Sequence, residues 1–374
     1  MKPDFLKGVR FTDLTWAGAG PFCTKLFSDF GAEVIKIETS TRPDPVRLGG
    51  PFLDGIAGIN RSGYFASRNS GKKSVSINLK SEEGRQLILD LVRESDVISN
   101  NFGPGVMDRL GLSYDEVCKV KPDIIYLGMP MYGEGGPRSS LLGVGMTISA
   151  VTSLMWLTAY GEDDPVGPGT HYPDHAANPY HAAFAIAAAL RYRRRTGKGM
   201  KIDLSQVEST INFLGPQILD YAFTGNEPVQ TGNRSLRHAP HNIFRALGED
   251  EWVAIAIETD AQWTSLQALI GTKGGAWDNR LASAAGRLQH IDEVEALVSR
   301  WTATRHPTDI VEALADSKIP AARVATSRYL LEEDADLSRR GYWQTVSHED
   351  LPRSVQSSPP YKVDGERVEL SAPP

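Results

Sequence analysis

The chain has 374 residues, of which 41% are hydrophobic and 23% charged, enough for one to three domains around a sizeable core. Lys and Arg total 40 against 46 Asp and Glu, a formal net charge of −6, which argues against nucleic-acid binding as the main task. Two cysteines, Cys23 and Cys118, make neither a disulfide framework nor a zinc cluster and fit a reducing cytoplasm, while Met1–Leu6 reads as no secretory signal and the most apolar stretch, Ala182 to Leu190, is too short to span a bilayer.

Val9 to Leu14 reads as a short buried strand, followed by the loop Ala17-Gly18-Ala19-Gly20-Pro21. A helix is predicted from Phe22 to Phe30, with Pro21 at its first position and Gly31 at its C-terminal stop. Val34 to Glu38 is the next strand, which completes a β-α-β unit. The pattern recurs: strand-like Ser74 to Leu79, a helix opened by Ser81-Glu82-Glu83-Gly84 and running to Val92, the strand Val97 to Asn100, a helix near Tyr114 to Lys119, and the strand Ile124 to Gly128. Such alternation predicts a mostly parallel sheet flanked by helices, with ligands at the carboxyl ends of the strands.

Lys201 to Leu204 adds a strand and Val207 to Phe223 another helix. Gly225 to Pro240 is polar and rich in Gly, Pro and Asn, which marks a linker. Glu251 to Ile257 is a clear strand, and helical stretches continue to about Ser317. The predicted organisation is α/β: a large domain with a mostly parallel sheet over 1–224, a linker over 225–239, a small α+β domain over 240–326, and a C-terminal segment, 327–374, that returns to the large domain.

Three patterns invite chemistry and are discounted. Gly18-x-Gly20 followed by Glu38 imitates a dinucleotide-binding fingerprint, but Cys23 stands at the third glycine position and Pro21 removes an N–H from the turn. His171 and His175 have i, i+4 spacing, yet Pro173 between them marks a helix boundary and no HExxH run is present, so no metal site is expected. The basic run from Arg191 to Lys201 matches the cationic last turn of a helix stopped by Gly197.

Two segments remain. Asn101-Phe102-Gly103-Pro104-Gly105 offers an amide, an aromatic face and an open backbone at a strand end, a combination that suits a purine and its phosphates, with Lys80 and Arg109 as nearby charge. Asp174, in Gly169-Thr170-His171-Tyr172-Pro173-Asp174-His175, precedes an alanine-rich helical stretch. A carboxylate at a helix start is expected to be held ionised by the dipole and the free N–H groups, ready to act as nucleophile or base; an N-cap is the plainer role for the same residue.

Several blocks together resemble the class III CoA-transferase family, which also holds α-methylacyl-CoA racemase. They are Asp13-Leu14-Thr15 with Ala19-Gly20-Pro21, Gly31 to Glu38, Asn69 to Ser74 with Asn78-Leu79-Lys80, Asn101 to Gly105 with Arg109-Leu110-Gly111, Tyr132-Gly133-x-Gly135-Gly136-Pro137, and Tyr172-Pro173-Asp174 through Ala189-Leu190 to Gly199. Ile319-Pro320-Ala321 is a weaker match. The resemblance implies that Asp174 is the catalytic residue and that Ala17, Ile77, Lys80, Asn101, Phe102, Arg109 and Leu110 line a coenzyme A site. It also implies a large Rossmann-like domain completed by the C-terminal segment, a small domain, and an interlocked homodimer, with a hetero-oligomer of two similar chains as the alternative. No tightly bound cofactor, metal, nucleic acid or membrane enters; the partners are an acyl-CoA thioester and a carboxylic acid.

Within the family, a racemase carries a second proton-transfer group in a Gly-His-Asp run, which falls here at Gly143-Val144-Gly145. Neither replacement can carry a proton. The expected activity is therefore CoA transfer through an aspartyl covalent intermediate, with an acyl-CoA racemase or epimerase and a non-catalytic subunit as alternatives. The glycine-rich loop Gly133 to Gly136, with Gly135 and Gly136, or backbone near Asp174, supplies candidate oxyanion donors. Arg138 is a candidate for binding a carboxylate on a dicarboxylic donor such as succinyl-CoA. Tyr172, His175 and His181 are candidates for shaping the acyl pocket.

Overall fold

The computed structural model describes residues 4–160, 165–271 and 278–370. Met1 to Pro3, part of the N-terminal segment read above, and 272–277, within the predicted helical stretches, lie outside them. The chain forms two compact units, one of residues 1–156, 167–228 and 335–374, the other of 157–166 and 229–334.

The first unit is built on six parallel strands: β1 (Arg10–Asp13), β2 (Glu33–Glu38), β3 (Lys73–Ser76), β4 (Val97–Asn100), β5 (Ile125–Gly128) and β6 (Met200–Asp203). Their order is β3-β2-β1-β4-β5-β6, with every neighbouring pair parallel. The helices are α1 (Ala19–Ser28), α2 (Gly63–Asn69), α3 (Glu82–Arg93), α4 (Val106–Arg109), α5 (Tyr114–Val120), α6 (Gly145–Val151), the short turn α7 (Leu154–Leu157), α8 (Asn178–Thr196), α9 (Gln206–Ile211) and α10 (Gly215–Thr224). Alternating strand residues feed two cores. Phe11, Val34, Val97, Ile125 and Leu127 pack against Cys23 and Phe27 of α1 and Ala182, Ile186 and Ala189 of α8. Leu14, Ile37, Ile98 and Tyr126 pack with Ile88 and Val92 of α3 and Val117 of α5. Strands β1, β4 and β5 are buried on both faces, which explains the apolar runs of β4 and β5, while the edge strands β3 and β6 are more polar and more exposed.

Two predicted elements are corrected. The first helix begins at Ala19, not Phe22, with Gly18 as its N-cap. Pro21 is thus the third helical residue, tolerated because the first-turn N–H groups have no intrahelical partner. The stretch from Val207 to Phe223 is not one helix but α9, a 3₁₀ turn at Asn212–Leu214, and α10. Pro216 lacks the N–H that a continuous helix needs and its ring clashes with the preceding turn.

The remaining residues of the first unit form α15 (Ala335–Arg339), the antiparallel pair β10 (Trp343–His348) and β11 (Leu351–Ser357), and the small hairpin β12 (Lys362–Val363) and β13 (Glu366–Arg367). Tyr361 stacks on Phe30, and Asp350 accepts from the Asn60 amide at 2.8 Å.

The second unit holds the antiparallel sheet β7 (His241–Arg245), β8 (Trp252–Ala256) and β9 (Ala321–Arg323) in the order β7-β8-β9. Helices α11 (Asp260–Ile270), α12 (Ala284–Gln289), α13 (Ile291–Thr302) and α14 (Pro307–Asp316) accompany it. Its core is Phe244, Val253, Ile255, Trp263, Leu266, Val298, Trp301, Ile310 and Leu314, among others.

Candidate active site

The strand order changes direction between β1 and β4, so the loops leaving these strands diverge and open a crevice at their carboxyl ends. Asn101 ties the two loops together. Its Oδ1 accepts from Trp16 N at 2.8 Å, and its Nδ2 donates to Trp16 O at 2.8 Å. Both ends of the amide are therefore engaged on backbone, and Asn101 clamps the two loops together. Phe102 meets Trp16 edge-on at 5.7 Å, and Arg42 lies over the other ring of this pair, that of Trp16, at 5.1 Å.

The β1 loop is also held from below. Ala17 sits at φ 62°, and its N–H donates to the Asp44 carboxylate at 3.1 Å. Asp44 in turn pairs with Lys36 of β2 at 2.9 Å, and both side chains are fully buried. Lys36 also donates to Thr15 O at 2.8 Å. Nearby, Lys72 bridges Asp13, Thr24 and Asn69. Burial pulls Lys72 down to about 8, against the opposing pull of Asp13. Glu38, the acidic residue of the false dinucleotide fingerprint, is occupied: Arg47 grips both its oxygens at 2.7 to 3.0 Å and lies over the Phe65 ring at 3.5 Å.

Asp174 comes to this loop from the long β5-to-β6 connection. The chain enters α8 through a π-helical turn, Pro173–Ala177, of which Asp174 is the second residue. Its side chain caps nothing in its own helix; among the described residues, the one hydrogen bond that it accepts comes from Gly145 N at 3.2 Å. A Cβ placed on Gly18 would lie 2.9 Å from Asp174 Cβ, and one on Gly145 would lie 2.8 Å from Asp174 Oδ2. The carboxyl is thus wedged between two glycines at the starts of α1 and α6, and only glycine allows that approach. Gly18 and Gly145 are close neighbours of Asp174 that no local sequence pattern marks as such. Gly145 had been read only as the loss of a family aspartate.

The expectation of a carboxylate held in its ionised form by its helix is corrected. Asp174 is 8% exposed, and burial pushes its carboxyl above the usual aspartate range, against the opposing pull of the Gly145 N–H and the nearby Arg68 charge. One backbone donor does not replace the water removed. Around it stand Arg68, Tyr64, His171 and His175. Arg68 Nη2 is 3.0 Å from His175 Nδ1. Burial and the Arg68 charge drive His175 down to about 4, so at neutral pH its Nδ1 accepts from the guanidinium. The Tyr64 and His175 rings meet edge-on at 5.9 Å.

Of the other sequence candidates, Ile77 is buried in the core beneath the sheet edge, and Phe102 and Leu110 pack against the same cluster. Lys80 and Arg109 are exposed. Gly135 lines a cavity of about 290 Å³ with Phe102, Gly105, Tyr126, Glu134 and Lys201 at the ends of β4 and β5. Gly136 and Arg138 are exposed, with Arg138 over the Tyr132 ring at 5.9 Å. Tyr172 meets Phe213 edge-on at 6.0 Å, and His181 is exposed with its Nδ1 on Ala177 O at 3.0 Å. No group of three or more His, Cys, Asp or Glu among the described residues is placed to hold a metal ion. None of the described helices is long and apolar enough to cross a membrane.

The chain is 30% identical over 379 residues to an acetyl-CoA:oxalate CoA-transferase of Acetobacter aceti, covering 98% of this chain and 96% of that one. It is also 30% identical over 339 residues to a succinyl-CoA–D-citramalate CoA-transferase of Chloroflexus aurantiacus, covering 90% and 83% respectively. The crystal structure of a CAIB/BAIF family protein from Brucella suis superposes with a TM-score of 0.90 at 27% identity, covering 100% of this chain and 96% of that chain. Residues 6–374 match the model of CoA-transferase family III, and the chain belongs to that family.

Proposed function

We propose that this enzyme moves coenzyme A from an acyl-CoA thioester to a carboxylic acid, and that Asp174 carries the acyl group and then the coenzyme between them. The observation that carries the reading is the wedging of the Asp174 carboxyl between Gly18 and Gly145, at the mouth of the β1–β4 crevice. Ala17, Ile77, Lys80, Asn101, Phe102, Arg109 and Leu110 are assigned to the coenzyme side of that crevice. The large Rossmann-like domain, 1–224 with the returning segment 327–374, carries the coenzyme, and 240–326 forms the small domain. Relatives named for oxalate and D-citramalate transfer support a carboxylate acceptor.

In the proposed path an Asp174 oxygen attacks the thioester carbonyl; the C–S bond breaks and CoA thiolate leaves, giving a mixed anhydride. The thiolate attacks the aspartyl carbonyl, releasing the donor acid as carboxylate and leaving an enzyme thioester. The acceptor carboxylate attacks this thioester, and the expelled thiolate takes the acceptor acyl group, which restores the Asp174 carboxylate. Each step exchanges one acyl bond for another, so the thioester energy is retained and no proton is consumed overall. Gly145 N–H, already on the carboxyl, is the proposed donor to the oxyanion formed at the aspartyl carbonyl.

Asp174→Asn is expected to lower transfer by about 10³-fold or more, as loss of a covalent nucleophile does. Mass spectrometry of wild-type enzyme incubated with acyl-CoA and hydroxylamine should place a CoA adduct or hydroxamate on Asp174. Wild-type rates in the variant would remove Asp174 from the chemistry. Deuterium exchange at the α-carbon with unmodified Asp174 would mark a racemase instead, and full inertness with every acyl-CoA a non-catalytic subunit. An interlocked homodimer is proposed from the family likeness, with a mixed oligomer as the alternative, and a reducing cytoplasm from the two cysteines.

A further inference from the structure

Asp13 and Lys72 belong to the blocks Asp13-Leu14-Thr15 and Asn69 to Ser74, are buried, and take no part in the proposed chemistry. Four oxygens surround Lys72 Nζ: Pro21 O and Thr24 Oγ1 of α1, each at 2.8 Å, Asn69 Oδ1 of α2 at 3.0 Å, and Asp13 Oδ2 of β1 at 3.2 Å. Thr24 Oγ1 also donates to Asp13 Oδ2 at 2.6 Å. The other Asp13 oxygen accepts from Thr15 N at 3.1 Å, Thr15 Oγ1 at 2.6 Å and Ser99 Oγ at 3.0 Å. Against the cost of burial, Lys72 and Lys36 hold the Asp13 carboxyl below the usual aspartate range. A buried network satisfied to this degree makes rigid whatever it joins.

It joins the pieces that press on Asp174. A Cβ on Gly20 would lie 2.5 Å from Thr15 Cβ, so the first turn of α1 rests on the residue that Asp13 fixes. Gly18 opens that turn, its carbonyl accepting from Phe22 N at 3.1 Å, and a Cβ on Gly18 would lie 2.9 Å from Asp174 Cβ. Lys72 grips the same turn at Pro21 O. On its other side, Asn69 Nδ2 donates to Phe65 O at 2.9 Å, which ties Lys72 into the body of α2. Helix α2 carries Arg68, whose charge favours the ionised form of Asp174. Lys25, further along α1, is a useful contrast: it is as deeply buried and pairs with Asp29 at 2.6 Å, but that pair fastens α1 only to its own C-terminal end.

We propose that Lys72, with Asp13 as its counterion, is a positioning residue for Asp174: it fastens the first turn of α1 and the end of α2 to β1, and so keeps the Gly18 side of the wedge against the carboxyl. The proposal rests on the CoA-transfer reading of Asp174 and adds what keeps that side chain in place. Ala17, assigned to the coenzyme side, is held separately by Asp44, so loss of Lys72 falls on turnover and not on coenzyme binding.

The test uses full-length enzyme. Acetyl-CoA and succinyl-CoA are screened as donors against oxalate, succinate, glutarate and butyrate, and the pair that wild type turns over fastest is kept. Lys72→Met retains the length of the side chain and removes its charge and donors. It should lower kcat by about 10- to 100-fold, the range for a displacement of up to about 1 Å, with KM for the acyl-CoA within about twofold of wild type. As Gly18 withdraws and water reaches the carboxyl, the acid limb of kcat/KM should move down towards that of an ordinary aspartate. Lys25→Met is the control: it breaks an equally buried pair and should lose thermal stability, but keep the wild-type kcat and acid limb. Thr24→Val removes only the α1 branch, and should change kcat and the acid limb in the same direction by less. Hydrogen exchange over Trp16 to Thr24 reads the fastening without turnover, and should quicken in Lys72→Met and Thr24→Val.

A folded Lys72→Met enzyme with lowered stability, wild-type kcat and an unmoved acid limb would make Lys72 merely structural and overturn the proposal. A raised KM for the acyl-CoA at constant kcat would assign the network to coenzyme binding and overturn it too. If Lys72→Met does not fold, Thr24→Val decides: wild-type kcat, acid limb and exchange in that variant would overturn the proposal. Absence of CoA transfer by wild type with every pair would instead sink the reading of Asp174, an outcome visible before any variant is made, while the exchange measurement would still report on the fastening.

Discussion

The Asp174 carboxyl is buried with one N–H donor, so its ionised form is less comfortable in the folded protein than in water. A nucleophilic carboxylate must nevertheless be ionised. Transfer should therefore fall on acidification at a pH above that of an ordinary aspartate, read as the acid limb of kcat/KM. The same shift has a stability consequence. A carboxyl whose pKa is raised on folding contributes stability below the unfolded value of 3.8 and loses it as pH rises through the folded value. Asp174→Asn should thus raise the melting temperature at pH 7, with the gain shrinking as pH falls towards 4; equal melting temperatures at pH 7 would contradict the burial argument. Gly145→Ala tests the wedge directly. Its Cβ would stand 2.8 Å from Oδ2 and from His171 Cβ, so the carboxyl must move. A displacement approaching 1 Å costs on the order of 10²-fold in rate, to be measured as kcat with substrate binding checked separately.

At the scale of elements, the β1 loop depends on charges buried beneath it. Asp44 holds Ala17 N, Val46 N and Lys36 at once. Asp44→Ala leaves Lys36 buried and uncompensated, which costs about 3–5 kcal/mol when one partner of such a pair is removed. Urea unfolding should show that loss, and residual activity should drop because the loop that carries Gly18 is released. Helix α3 needs no such support: Ser81 caps it by accepting from Gly84 N at 3.0 Å, Glu82 and Glu83 occupy its first turn and Arg93 its last. That is why its start was readable from the sequence, whereas α1, which begins at an uncapped glycine, was placed three residues late.

For the whole molecule, the proposed homodimer has surfaces to bury. Phe184 of α8 is 79% exposed and Phe223 of α10 is 83% exposed, and Phe5, Phe30, Phe184 and Tyr361 line an apolar groove of about 850 Å³ along α1 and α8. Sedimentation should give twice the mass of one chain, and a monomer at micromolar concentration would exclude the interlocked arrangement. The alternation of apolar runs with helix starts and stops was enough to place the strands of the parallel sheet; the central β1, β4 and β5 are buried because both their faces are covered, whereas the edge strands β3 and β6 are more polar and more exposed and were marked by their place in the alternation. The order of Asp13-Leu14-Thr15, Asn101 to Gly105 and Tyr172-Pro173-Asp174 along the chain was enough to point to the family and to one carboxylate. What surrounds that carboxylate was decided by folding: Gly18, Arg68 and Gly145 lie far from it in sequence, and no local pattern marks them. The state of Asp174 was decided there too. Its sequence neighbours indicate a helix start, but its burial and its single donor are set by β1, α1 and α6, elements that reach it only once the sheet has assembled.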